Sequence, residues 1–348
     1  MSHTIAYYDP KIFAGWPANN GLWVFPDGEI LVGCVTGPYS RQPGHNLLEP
    51  FTQRLLRSLD GGETWQVETP PGYVGSGGEP CPPKTPLDFT APGFALRLAG
   101  AGYHGSDEPR GAFYASADRG ITWVGPYALT GLHTHPELEG EAFSMRTDYL
   151  ALGQHAALVF LSVRGGKRWK TDRAFCAQTE DGGMSFSFLG WMVPVADPHR
   201  SVMPSTVRLP GGALVSTLRR RRTDEEICWI DAYHSQDGGK SWQLLGKVGD
   251  TGGWNGNPPA LACLQDGRLV CAYGDRDRRK MIAQTSHDGG QTWKNETVLR
   301  EDFAGDDEPD FGYPRLCQLP SGELLAVYYW ATDSHPQQHI AATRWRVR

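Results

Sequence analysis

Short apolar runs, several alternating with polar residues, recur along this chain, and glycine, proline and aspartate interrupt them at regular places. The clearest pairs are Leu22-Trp23-Val24-Phe25 and Ile30-Leu31-Val32 across Pro26-Asp27-Gly28-Glu29, residues 206–217 across Gly211-Gly212, residues 260–273 across Asp266-Gly267, and residues 316–329 across Ser321-Gly322. Apolar runs on both sides of a glycine-bearing turn predict a β-hairpin at each place.

A second phrase, SxDGGxTW, falls between the hairpins. Five near-copies occupy residues 58–65, 116–123, 179–186, 235–242 and 286–293, at intervals of 51 to 63 residues. Arg119 replaces the first glycine of the second copy, and Phe186 replaces the tryptophan of the third. Serine, threonine and aspartate side chains bond nearby amides, glycine accepts a positive φ, and the aromatic packs beneath the turn. The five aspartates are therefore read as turn formers and not as catalytic groups.

The repeating unit is strand, DG turn, strand, variable loop, strand, SxDGGxTW turn, strand. Four antiparallel strands per repeat make a propeller blade. The predicted fold is an all-β, six-bladed β-propeller in one domain spanning residues 1–348. Its blades are expected near 19–75, 84–130, 142–193, 202–250, 257–300 and 312–345. The last blade lacks an aspartate turn, and a strand at 4–8 is expected to pair with it and close the ring. Blades two and three have the weakest first hairpins.

Both turn types fall at the same end of the strands, so function is expected at the other end, where the loops are longer and chemically richer. That face collects residues 16–20, 36–53, 102–110, 133–141, 164–173, 199–205, 219–226, 254–257, 275–279, 306–313 and 333–339.

Composition adds mainly exclusions. A net charge of −6 gives no support to a nucleic-acid partner. Seven cysteines without a CxxC pair read as small core residues in a reducing compartment, and no metal or other cofactor is expected. The first residues lack a basic start followed by an apolar core, and no apolar stretch is long enough to span a membrane. The expectation is a cytoplasmic protein without a membrane partner.

The candidate chemistry is concentrated in the loops. Arg219 to Arg222 end a blade-four strand, where alternation sends Arg219 and Arg221 to one side and Arg220 and Arg222 to the other. Arg276 occupies the corresponding place in blade five. Arginines converging from adjacent blades imply an anionic substrate, best matched by a carboxylate-bearing sugar. His45 lies in the blade-one loop, and an imidazole is a side chain suited to a proton donor. Asp107 and Glu108, in the blade-two loop, are the alternative acids. His199, Trp254 and Asn257, in the crossings that enter blades four and five, are placed as substrate contacts, with the tryptophan as a sugar-stacking wall. A metal site at His133 and His135 has only i, i+2 spacing behind it.

The turns match the Asp-box, and six blades bearing them resemble the sialidase (neuraminidase) superfamily of propellers over nearly the whole chain. That resemblance implies three arginines gripping a substrate carboxylate, a tyrosine nucleophile with a glutamate partner, and an aspartate acid/base. A phenol suits this task because a carboxylate at the anomeric carbon would repel a carboxylate nucleophile. Gly312-Tyr313-Pro314-Arg315-Leu316 is similar to the superfamily's Gly-Tyr-Ser-x-Leu element, which gives Tyr313 the nucleophile position and sets Arg315 beside it as a binding residue. Arg219 and Arg276 correspond to the second and third arginines. Three elements depart from the pattern. Pro17-Ala18-Asn19-Asn20 stands where the first arginine belongs, Met203-Pro204-Ser205 where the glutamate belongs, and Arg41 to Asn46 contain no aspartate. His45 is assigned the missing proton-donor role.

These residues point to an exo-acting glycoside hydrolase that removes a terminal sialic or uronic acid from a glycan. A polysaccharide lyase acting on a uronate linkage, and a non-catalytic carbohydrate-binding propeller, use the same fold and remain open.

Overall fold

The computed structural model, described over residues 1–74, 78–100, 108–165, 171–222, 224–253, 255–305 and 309–347, is a six-bladed β-propeller. Blade four shows the unit: strands Arg200–Arg208, Leu214–Arg221, Cys228–Ser235 and Gln243–Asp250 pair antiparallel in chain order. Blade five repeats it with Ala260–Cys263, Leu269–Asp275, Lys280–Ser286 and Lys294–Arg300. Blade six has Gly312–Gln318, Leu324–Trp330 and His339–Trp345, and its outer strand is Ser2–Tyr7. Ser2 faces Arg344 and Ile5 faces Ala341, so backbone hydrogen bonds between the first and last strands close the ring. This closure explains the missing sixth aspartate turn, because the outer strand of blade six does not follow its third strand in the chain.

Each SxDGGxTW segment forms the predicted turn. In blade four, Asp237 Oδ1 accepts hydrogen bonds from Ser235 Oγ at 2.8 Å and the Ser241 amide at 2.9 Å. Ser235 Oγ accepts from the Gly239 amide, and Trp242 Nε1 donates to the Gly239 carbonyl at 3.0 Å. The first glycine of four copies is left-handed, with φ between 69° and 75°, and Arg119 adopts φ 61° in the same place. That strained arginine bonds Asp27 at 2.6 Å and Glu29 at 2.9 Å, both in blade one.

Hydrophobic cores fill the spaces between neighbouring blades. Leu158, Phe160 and Cys176 of blade three, for example, pack with Leu214, Leu218 and Tyr233 of blade four. Strands such as Leu269–Asp275 and Leu324–Trp330 are buried along their whole length because both faces meet another blade. Blade two has three strands among the described residues, Ala95–Ala99, Ala112–Ser116 and Val124–Tyr127. Its weak first hairpin is replaced by irregular chain, in which Leu87 and Phe89 donate amide bonds to Gly182 and Gln154 of blade three. Among the described residues no helix is long and apolar enough to cross a membrane.

The innermost strands are broken near the axis, and this positions the site. In blade one the short helix Pro17–Asn20 separates strands Ile12–Gly15 and Leu22–Val24, which both pair with Ile30–Pro38. In blade three, residues 145–148 separate Phe143–Ser144 from Tyr149–Ala151, and both short strands pair with Ala157–Val163. The register slips between Val202 and Ser205 in blade four and between Gly312 and Arg315 in blade six. Trp16, Met203 and Tyr313 stand at three of these breaks with φ of 58°, 57° and 48°, and each precedes a proline. Bulky residues resist positive φ, and a residue before proline favours the extended region, so the surrounding fold must hold these three dipeptides in place.

Candidate active site

A cavity of about 570 Å³ opens on the face opposite the aspartate turns. Its walls include Asn19 and His45 of blade one, Glu141, Met145, Arg164 and Asp172 of blade three, Arg200, Met203 and Arg219 of blade four, Asn255, and Tyr313 of blade six. The inner-strand breaks supply its centre. Met203 and Tyr313 line it, and Trp16 packs edge-on against His45 with 4.8 Å between ring centroids.

Tyr313 is fixed from two sides. Its amide donates to Asn257 Oδ1 at 2.8 Å, and Asn257 Nδ2 donates to the Phe311 carbonyl at 2.7 Å. A Cβ on Gly312 would lie 2.4 Å from the Asn257 side chain, so only glycine fits between them. Arg219 Nη1 donates to the phenol oxygen at 3.0 Å, and its guanidinium lies 5.6 Å from the ring centroid. Burial pushes this phenol up, but the Arg219 and Arg276 charges, the Arg219 hydrogen bond and the Arg200 charge together hold it below its usual value of 10.0.

His45 faces Asp310. Its Nδ1 lies 3.0 Å from Asp310 Oδ2, and Tyr329 Oη donates to the other carboxylate oxygen. Arg276 Nη2 is 3.7 Å from Asp310 Oδ1, and both residues are 2% exposed. Arg276 is therefore the buried counter-charge of Asp310 and does not line the cavity.

The remaining arginines divide as alternation predicts. Arg219 donates to the Asn255 carbonyl and Arg221 to its side-chain oxygen at 3.3 Å, while Arg220 turns to Asp197 at 2.5 Å and Tyr233 at 3.2 Å. Arg200 bonds Asp172 at 2.6 Å and Asn255 Oδ1 at 3.0 Å. Asn255, left-handed at φ 68°, is thus gripped by three arginines.

The structure brings together His45, Arg219 and Tyr313 from the residues picked out in the sequence. Arg221 reaches the Asn255 rim and lies 3.9 Å from Glu226, outside the cavity wall. Asn257 is fully buried and acts through the Tyr313 backbone. Arg315 points away, donating to the carbonyls of Ala18 at 2.5 Å and of Thr147. His199 packs on Trp229 with ring centroids 5.5 Å apart and is not part of the cavity wall. Glu108 pairs with Arg110 at 2.7 Å, which holds its carboxyl below the usual range, and it does not reach the wall either. Asp107 and Trp254 lie outside the described residues. His135 packs on Phe188 at 4.8 Å, and among the described residues no cluster of three metal-ligating side chains occurs.

Sequence reasoning missed Asp310, the whole blade-three wall and the Asn255 hub. The only available signal was the membership of Asp310, Arg164, Asp172 and Asn255 in loops assigned to this face.

An Asp-turn propeller with a polar cavity over its axis defines a class shared by many proteins, and comparison narrows it. The sequence matches the BNR repeat-like domain over residues 84–326, and the chain belongs to that family. No curated protein matches it in sequence. Its fold is similar to a protein of unknown function from Dyadobacter fermentans (21% identity, TM-score 0.73, covering 100% of this chain and 98% of that one). It is also similar to a Penicillium chrysogenum α-L-arabinanase complexed with arabinobiose (14%, 0.62, 99% and 98%). A third similar fold is the intramolecular trans-sialidase of Ruminococcus gnavus (13%, 0.55, 94% and 94%).

Proposed function

We propose that this chain is an exo-acting glycoside hydrolase that releases a terminal acidic sugar, sialic or uronic, from a glycan. The observation that carries the reading is the Tyr313 phenol, 3.0 Å from Arg219, in a cavity that His45 also lines with Asp310 behind it. Similar folds in an arabinanase and a trans-sialidase support sugar chemistry at this level.

In this reading the Tyr313 oxygen attacks the anomeric carbon and forms a tyrosyl–sugar bond as the glycosidic C–O bond breaks. His45 gives the leaving oxygen its proton. Water then attacks the same carbon, His45 takes its proton, and the tyrosyl bond breaks with the phenolate restored. In place of a glutamate partner, Arg219 stabilises the phenolate, because Met203-Pro204-Ser205 stand where the glutamate is expected. Asp310 holds the imidazole by Nδ1, which assigns Nε2 to the substrate.

One observation favours a second reading. A phenol lowered by arginines is also suited to abstract the proton beside a uronate carboxylate, as a lyase requires. Mass spectrometry of products from pooled sialylated and uronate-containing oligosaccharides, with wild type and Tyr313→Phe, separates the two. Release of an intact acidic sugar, lost in the variant, is the expected result. An unsaturated product would move the assignment to elimination, and saturable binding without any product would make the chain a carbohydrate-binding propeller.

A further inference from the structure

Among the described residues three arginines line the cavity, and two of them are committed to the protein. Arg219 serves Tyr313 Oη and the Asn255 carbonyl, and its Nη1 lies 3.5 Å from Met203 Sδ. Arg200 serves Asp172 and Asn255 Oδ1. Arg276, which the sequence suggested as a clamp, is buried against Asp310 and the Phe311 carbonyl. None of these three has the unoccupied guanidinium edge that paired recognition of a carboxylate needs.

Arg164 is different. It lies one residue beyond strand Ala157–Val163, where its amide donates to the Ala142 carbonyl at 2.7 Å, so the strand pairing fixes its backbone. The next amide, Gly165, donates to Asp172 Oδ1 at 2.9 Å and pins the other side. Its side chain is exposed and lines the cavity, and among the described residues its guanidinium makes no hydrogen bond or ion pair. A fixed backbone that presents a guanidinium with no partner among the described residues, in the same cavity as a tyrosine–arginine pair, suits an anchor for substrate charge.

We infer that Arg164 is the residue that recognises the carboxylate of the bound sugar, and that blade three, not the arginine set of blades four and five, determines specificity for an acidic substrate. This rests on the proposed reaction only for its sugar class. The charge recognition is a binding property that is measured separately from turnover.

The test is calorimetric titration of wild type, Arg164→Ala and Arg164→Lys with N-acetylneuraminate, glucuronate and the methyl ester of each. An anchor predicts that Arg164→Ala weakens binding of at least one free acid by about tenfold or more, that lysine restores part of the loss, and that ester binding is unchanged by either substitution. Equal affinity of wild type and Arg164→Ala for the acids, equal loss for acid and ester, or no binding of either acid to wild type would overturn the inference. Turnover on acidic glycans is scored in parallel. Loss of acid binding in Arg164→Ala without any product from wild type would remove the hydrolase reading and leave the anchor. Turnover with unchanged KM in Arg164→Ala would do the reverse.

Discussion

At the scale of residues, two opposing influences act on one phenol in the cavity. Tyr313 is buried, which disfavours the phenolate, yet the arginine charges around it more than offset that cost. Arg219→Gln removes the nearest charge and the hydrogen bond while keeping much of the volume. We expect the Tyr313 titration to move upward, because burial then acts with less opposition. Ultraviolet phenolate titration checks this, taken as the difference between each protein and its Tyr313→Phe counterpart. An unchanged difference curve would show that Arg219 does not set the phenol's acidity. The sequence disclosed both Tyr313 and Arg219, since a glycine-tyrosine-proline step and a strand-end arginine are local patterns. It did not disclose Asp310, whose pairing with His45 links positions 265 residues apart.

At the scale of elements, the repeated turns and the broken inner strands do different work. The aspartate turn satisfies its own amides, so its residues are read directly from the chain. Ser241 is the largest influence holding the Asp237 carboxyl at about 2, below its ordinary 3.8. The stabilisation it adds is present above pH 3.8 and is lost as pH falls toward 2. Asp237→Ala is expected to cost about 1 to 2 kcal/mol, since the Lys240 and Ser241 amides and the Ser235 hydroxyl lose an ionised acceptor. Urea unfolding at pH 7 measures that loss, and it should shrink at pH 2. The cavity should keep its shape, because the turn lies at the opposite end of the blade. The inner-strand breaks are less visible in sequence. Trp16-Pro17, Met203-Pro204 and Tyr313-Pro314 are ordinary dipeptides until the fold imposes a positive φ on their first residues.

At the scale of the whole molecule, two buried arginines, Arg97 and Arg146, and the half-buried Arg315 tie the inner strands together around the axis. Arg97 of blade two bonds Asn20 and Thr147, and Arg146 beside blade three bonds the carbonyls of Met203 and Pro259. Arg315 of blade six bonds the carbonyls of Pro17, Ala18 and Thr147. These contacts reach all six blades. Asp148 sits among them, and burial raises its carboxyl to about 6, against the opposing pull of Arg146 and Arg315 and the Thr206 hydrogen bond. A raised acid stabilises the fold when protonated, so its contribution is full below pH 3.8 and lost as pH rises through about 6. The total loss is bounded at roughly 3 kcal/mol by the size of the shift. Asp148→Asn is expected to remove that slope, so the stability difference between variant and wild type should change across pH 4 to 6 and stay level above it. Denaturant midpoints across this range check the prediction, and parallel curves would show that Asp148 does not titrate there.

The sequence by itself determined the propeller, the number of blades, the closing strand and the face on which the cavity opens. Turn chemistry and strand alternation act over a few residues and recur at a readable period. Only the tertiary structure decided which charges are spent within the protein. It turned Arg315 inward to backbone carbonyls and Arg276 inward as the counter-charge of Asp310, gave Asn257 to the Tyr313 backbone, and left Arg164 facing the cavity. Each choice depends on carbonyls and carboxylates that other blades deliver to the axis, and such long-range meetings leave no local pattern in the chain.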